Sequence, residues 1–153
     1  MTDSKLSTAA QSDGIWALRS GIDDGYPYVI RVRTDTRDLA GHPALPNLLQ
    51  ISWTFLLEGQ QVQVGLPTRD QADEMEAFEN RIVDALQRGP VALLVSVNTR
   101  QGERRWLWYC GAPDETEQQL NAALGRDASF PIVIETLADP EWKFYRDLVS
   151  SVV

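Results

Sequence analysis

The run Arg104-Arg105-Trp106-Leu107-Trp108-Tyr109-Cys110 limits the fold of this chain more than any other segment. Successive side chains of a strand point to opposite faces, so Trp106 and Trp108 share one side and Leu107 and Tyr109 the other. Both faces carry bulk that water disfavours. A sheet holding this strand must be covered on both sides. The run before it, Val91 to Asn98, is rich in β-formers, and Thr99 to Gly102 turns the chain. The two runs therefore predict an antiparallel hairpin.

The remaining periodicities place this hairpin in a longer order. Ile15 to Arg19 reads as a short strand closed by Ser20-Gly21, and Asp23-Asp24-Gly25 as a turn before the strand Tyr26 to Thr34. Asp35 to Asn47 holds Gly41, Pro43 and Pro46 and reads as a loop. Leu48 to Leu57 alternates cleanly, with Leu49, Ile51, Trp53, Phe55 and Leu57 inward. Gln61 to Gly65 reads as a short hairpin arm. Thr68 and Gln71 have capping-box spacing at the head of a helix with the apolar stripe Met75, Phe78, Ile82, Ala85 and Leu86, stopped by Gly89-Pro90. Asp114 reads as the cap of a second helix that ends at Gly125. Phe130 to Leu137 is the last strand. Asp139 then caps a terminal helix with Pro140 at its first position, and Trp142, Tyr145 and Val149 lie on one side.

From Leu48 onward the order is strand, helix, strand, strand, helix, strand. This predicts an α+β, ferredoxin-like βαββαβ antiparallel sheet with two helices on one face. An added N-terminal β-hairpin and a C-terminal helix complete it. Residues 1–14 read as a flexible N-terminal tail, and residues 15–153 as one domain. At 153 residues a single domain buries roughly 70% of its unfolded surface and needs no disulfide or metal to hold a core. The second sheet face is covered either by Trp142 and Tyr145 of the same chain or by a partner lying in a groove lined by Trp106 and Trp108, which a second copy of the chain would also fit.

Composition excludes several activities. The net charge of −8 repels phosphate backbones, so no nucleic-acid partner is expected. No run has the ~18 apolar residues of a membrane span. One Cys and one His cannot make a zinc site or a sulfur framework, so no metal or cofactor is expected, and the reading is a cytoplasmic protein. His42 and Cys110 form the only thiol dyad available, and nothing in the spacing positions one against the other, so no catalytic residue is assigned. No glycine-rich phosphate loop follows a strand. Asp70, Asp73, Glu74, Glu76, Glu79 and Asp84 make the main helix acidic. Their spacing reads as a solvated face or, at Glu76 and Glu79, as a docking ridge for a basic partner. Arg31 and Arg33 on one strand and Arg100, Arg104 and Arg105 on the hairpin make either a local basic patch or a set of ion pairs.

The Gly65-Leu66-Pro67 approach to an acidic helix, the Arg105-Trp106-Leu107-Trp108-Tyr109 strand and the Asp139-Pro140-Glu141-Trp142…Tyr145 helix resemble domain-of-unknown-function family 695. The resemblance covers the chain from about Ile15 onward and implies no reaction, substrate or cofactor. In fold order and charge the chain is also similar to the bacterial regulator of ribonuclease E activity B, an acidic inhibitor that works by protein contact. The leading expectation is a non-enzymatic regulatory or adaptor module with a protein partner, bound through Glu76, Glu79, Arg104, Arg105, Trp106 and Trp108. One alternative is a small-molecule or hydrolytic site at the Trp/Arg-rich hairpin, using Arg104 or Arg105 with a carboxylate. Another is an immunity-type protein that neutralises a basic toxin.

Overall fold

A computed structural model describes residues 3–87, 92–125 and 130–152. It is an α+β fold. Six strands, β1 (Trp16–Asp23), β2 (Tyr26–Arg33), β3 (Asn47–Thr54), β4 (Ala92–Arg100), β5 (Glu103–Cys110) and β6 (Ile132–Ala138), form one sheet in the order β1-β2-β4-β5-β3-β6. Every neighbouring pair is antiparallel. Five helices accompany it among the described residues: α1 (Asp3–Gln11), α2 (Gln61–Val64), α3 (Arg69–Gln87), α4 (Pro113–Leu124) and α5 (Lys143–Val152).

Two cores lie on opposite faces of the sheet, as the two-sided bulk of β5 requires. On one face Trp106 and Trp108 pack with Leu49, Ile51 and Trp53 of β3 beneath Met75, Phe78, Ile82 and Leu86 of α3 and Leu120 of α4. Phe78 meets Trp53 and Trp106 at centroid distances of 5.0 and 5.1 Å. On the other face Leu107 and Tyr109 pack with Trp142 and Tyr145. The cover for the second face is therefore supplied by the chain itself. A bulge between Leu94 and Ser96 inserts one residue into β4. It changes the parity of the strand, so Leu94 and Val97, three residues apart, both face α3.

The helix α3 begins as its sequence predicts. The Gln71 N–H donates to Thr68 Oγ1 (3.2 Å) and the Thr68 N–H to Gln71 Oε1 (2.9 Å), a reciprocal capping box. The expected Gly89-Pro90 stop lies outside the described residues.

Elsewhere the structure differs from the sequence reading. Residues expected as a tail contain α1, which buries Leu6, Ala9 and Ala10 on one side. Gln87 at the end of α3 donates to the Ala10 carbonyl (3.0 Å) and ties α1 down. One Leu and two Ala are too small a stripe to stand out from a polar segment. Strand β1 continues past Ser20-Gly21 because Gly21 lies opposite Tyr28. A Cβ there would stand 2.8 Å from the Tyr28 hydroxyl, so the glycine permits the pairing and does not end it. Gln61–Val64 is a single helical turn instead of a hairpin arm, closed by Gly65 at φ 73°. Within the 35–47 loop Arg37–Leu39 forms a 3₁₀ turn. Helix α4 is capped at Ala112, because Pro113 takes the first helical position and moves the boundary ahead of Asp114. Helix α5 starts at Lys143, since Trp142 has φ 59° and breaks the helical path from Pro140. Asp139 still caps it from a distance: its carboxylate accepts the N–H groups of Lys143 (2.9 Å) and Phe144 (3.1 Å).

Candidate functional site

The register of the sheet assembles two rows of side chains on the α3 face. One runs Leu18, Arg31, Val97, Trp106, Ile51, Ile134; the next runs Ser20, Val29, Thr99, Arg104, Trp53, Ile132. Arg31 and Arg104 are thus brought onto one surface by strands far apart in sequence. Helix α3 lies over the rows, and Glu79 flanks its apolar stripe one position after Phe78. Its Oε1 accepts from Arg31 Nη2 (2.6 Å) and from the Trp106 indole Nε1 (2.9 Å). The Glu79 side chain is only 12% exposed and that of Arg31 35%. The Arg31 guanidinium also lies 4.8 Å above the Trp16 ring. Arg104 donates from Nε to Thr99 Oγ1 (2.9 Å). Burial holds its guanidinium below its ordinary value, against the opposing pull of Glu79.

The six residues proposed for partner contact therefore separate. Glu79, Arg104 and Trp106 meet in one half-buried cluster, and Glu76 stands exposed beside it on α3. Trp106 and Trp108 are each 1% exposed and line no groove. Arg105 points to the opposite face and pairs with Glu103 (2.6 Å). The other arginines find acids as well. Arg33, itself 1% exposed, pairs with Asp35 (2.9 Å), and Arg100 pairs with Asp23 (3.1 Å). Arg31, Arg33, Arg100 and Arg105 are thus held in ion pairs, and Arg104 bonds Thr99.

What α3 leaves uncovered is the outer part of the same face. Leu18 and Ile22 of β1 are 69% and 73% exposed. Asp70, Asp73, Glu74 and Glu76 are exposed on α3. The result is an apolar shelf on the edge hairpin beside an acidic helix. Sequence reading missed the shelf, because it closed the first strand at Ser20-Gly21 and left Ile22 outside it, and because nothing local records that α3 stops short of Leu18.

The other face is closed by a buried polar network. Tyr109 donates to Asp139 Oδ2 (2.6 Å), and the Tyr145 hydroxyl donates to the Arg33 carbonyl (2.7 Å). Trp142 donates from Nε1 to the Leu45 carbonyl (2.9 Å) and stacks on Tyr109 at 4.1 Å and 8°. Burial pushes the Tyr109 and Tyr145 phenols up, and Asp139 adds to the effect at Tyr109. Burial also pushes up the Cys110 thiol, more than its hydrogen bond with Thr116 lowers it. These directions describe core groups kept neutral, and a raised thiol is the opposite of an activated nucleophile. His42 Nδ1 accepts the Ala44 N–H (3.0 Å) inside its own loop. Among the described residues no three His, Cys, Asp or Glu side chains are grouped as a metal requires, and no helix is long and apolar enough to cross a membrane.

The shifted groups set the pH range of stability. The folded chain keeps the protons of Cys110, Tyr109 and Tyr145 where the unfolded chain releases them, from about pH 8.5 for thiols and about 10 for phenols. Their stabilisation is therefore complete below that range and falls as pH rises through it. Asp35 acts in the opposite sense. Burial raises its carboxyl, but the hydrogen bond and charge of Arg33 outweigh this and hold it below the ordinary value. Its contribution is present above about pH 3.9 and lost as pH falls further. Urea midpoints measured across pH are expected to be level near neutrality and to drop steeply above about pH 9. An unchanged midpoint through the phenol range would contradict this.

The comparison with known proteins agrees with the resemblance seen in the sequence. No curated protein and no solved structure matches the chain. The family described as "Family of unknown function (DUF695)" matches residues 14–149, which include every strand and the helices α2 to α4. Covering the whole sheet and most of its helical cover, that match makes this chain a member of the family of unknown function DUF695.

Proposed function

We propose that this protein is a non-enzymatic regulatory or adaptor module that works by contact with another protein in the cytoplasm. The observation that carries this reading is the pair Leu18 and Ile22, 69% and 73% exposed on an edge strand beside the acidic surface of α3. Apolar side chains that stay open together on one face and are rimmed by charges support an interaction surface. The surface suits a partner segment with apolar side chains and Lys or Arg at its margin, which the carboxylates of α3 would orient. A basic toxin held by an immunity-type protein is one partner of that chemistry.

The strand order supports the same reading. We take β4-β5-β3-β6 with the crossovers α3 and α4 as a ferredoxin-like unit, extended at its β4 edge by the β1–β2 hairpin and covered on its open face by α5. That order is the ground of the likeness to the regulator of ribonuclease E activity B, and fold alone does not decide function. The small-molecule alternative at the hairpin draws less support, since its two tryptophans are core residues and Glu79 is held by Arg31.

The test is an affinity purification from the native host with the wild type, a Leu18→Asp/Ile22→Asp variant and a Glu76→Lys variant. A stoichiometric partner retained by the wild type and lost from both variants is expected. A partner held equally by all three would place the contact elsewhere.

A further inference from the structure

We infer that the groove under α1 is a receptor for the C-terminal end of a helix, filled at rest by α1 and open to a helix of another protein that ends in the pattern Leu-x-x-Ala-Ala. The site stands apart from the Leu18 and Ile22 surface, since α1 packs with the core on the other face of the sheet. Two side chains make its polar contacts. Arg33 Nη2 on β2 donates to the Ala9 carbonyl (2.7 Å), and Gln87 Nε2 at the end of α3 donates to the Ala10 carbonyl (3.0 Å). A helix leaves the carbonyls of its last turn short of donors, and a cation placed there complements its dipole. Donors from two elements distant in sequence thus converge on consecutive carbonyls of one helix end. Arg33 and Gln87 are only 1% and 6% exposed.

Both donors are held in place by groups outside α1. Asp35 clasps Arg33 at Nε (2.9 Å) and Nη2 (3.1 Å). Gln87 Oε1 accepts the Leu94 N–H (3.0 Å), which aims the amide nitrogen at α1. The pair therefore stays directed at the position of a helix end when α1 leaves, and a site ordered in advance loses little on binding. The resident helix is loosely seated. Among its described side chains Leu6, Ala9 and Ala10 alone are buried. Clefts of about 320 and 360 Å³ run along its two sides, one toward residues 35–39 and the other toward α3. The seat reads backbone carbonyls and asks of the side chains only one Leu and two small residues that let the backbone approach. It selects a pattern and not one sequence. The family match begins at residue 14, so it covers the seat and leaves α1 outside. Helix α1 is then an intramolecular competitor, present at an effective concentration on the order of millimolar, which a partner helix must displace.

The test uses full chains and a fluorescent peptide of residues 3–13, read by anisotropy. Leu6→Asp with Ala9→Asp should release α1 from its own seat and leave Arg33 and Gln87 untouched. The released chain is expected to bind the peptide at roughly submillimolar concentration, at least about tenfold more tightly than the wild type, in which α1 competes. An Ala/Lys/Glu helical peptide ending in Leu-x-x-Ala-Ala should displace it. Gln87→Glu in the released chain keeps the acceptor for Leu94 and sets a carboxylate against the Ala10 carbonyl, so binding should fall by about tenfold more. Hydrogen exchange of the wild type gives a reading that needs no variant. The amides of α1 should exchange at least about a hundredfold faster than those of β4 and β5. No binding by a released chain that still melts cooperatively, binding indifferent to Gln87→Glu, or binding that the second helical peptide leaves in place would overturn the inference. So would an α1 that exchanges only with unfolding of the whole sheet.

Discussion

Trp142→Ala is expected to cost about 4 kcal/mol of folding stability, at the upper part of the range for deleting a buried aromatic side chain. Trp142 is fully buried. It stacks on Tyr109 at 4.1 Å, meets Tyr145 edge-on at 5.5 Å and donates to the Leu45 carbonyl. Alanine would forfeit the packing, leave a cavity and orphan a buried carbonyl. It would recover little in exchange. The residue sits at φ 59°, a region that costs any L-residue about 1–2 kcal/mol, and alanine has the same objection to it. Only glycine removes that strain, so Trp142→Gly should be slightly less damaging than Trp142→Ala despite its smaller size. Urea denaturation of the three proteins gives the comparison. A loss under about 1 kcal/mol would mean that α5 is held by its other contacts and that the stack contributes little.

Glu79→Lys is expected to lower stability by roughly 3 kcal/mol, while Glu76→Lys, three residues earlier on the same helix, should change it by less than about 0.5 kcal/mol. Glu79 is the half-buried partner of Arg31 and of the Trp106 indole, with Arg104 close by. A lysine there would oppose two guanidiniums already removed in part from water and strand the indole N–H. Glu76 is exposed, and its charge is screened. Thermal melts of the two variants at low and high salt would separate the cases. Equal, small effects would mean that the Arg31–Glu79 pair is no stronger than a surface pair. The contrast also governs how partner binding is tested: a charge reversal at Glu79 would unfold the surface it is meant to probe, whereas Glu76 reports on the surface alone.

Much of the architecture was legible in the sequence. The two-sided β5, the β4–β5 hairpin, the Thr68 capping box and the stripe Met75, Phe78, Ile82 and Leu86 all follow from periods and caps that act within a few residues. The same local rules misplaced the start of α5, because Pro140 suits a first helical position and nothing nearby records that Trp142 must turn under Tyr109. They overlooked α1, whose three small buried side chains gain their meaning only from Arg33 and Gln87, 24 and 77 residues away from their contacts in it.

The candidate site divides along the same line. Sequence alone determined that α3 is acidic and that β5 carries arginine beside tryptophan, since each is a property of one element and its period. The tertiary structure decided that Glu79 turns inward to Arg31 while Glu76 stays in water, that Trp106 and Trp108 are core, and that Leu18 and Ile22 are left open at the edge. Those outcomes depend on β2 lying beside β4 and on where α3 crosses the sheet. A helix or strand encodes which of its residues share a face, but which face meets which is set by the joint burial of all of them, and that is a property of the assembled sheet.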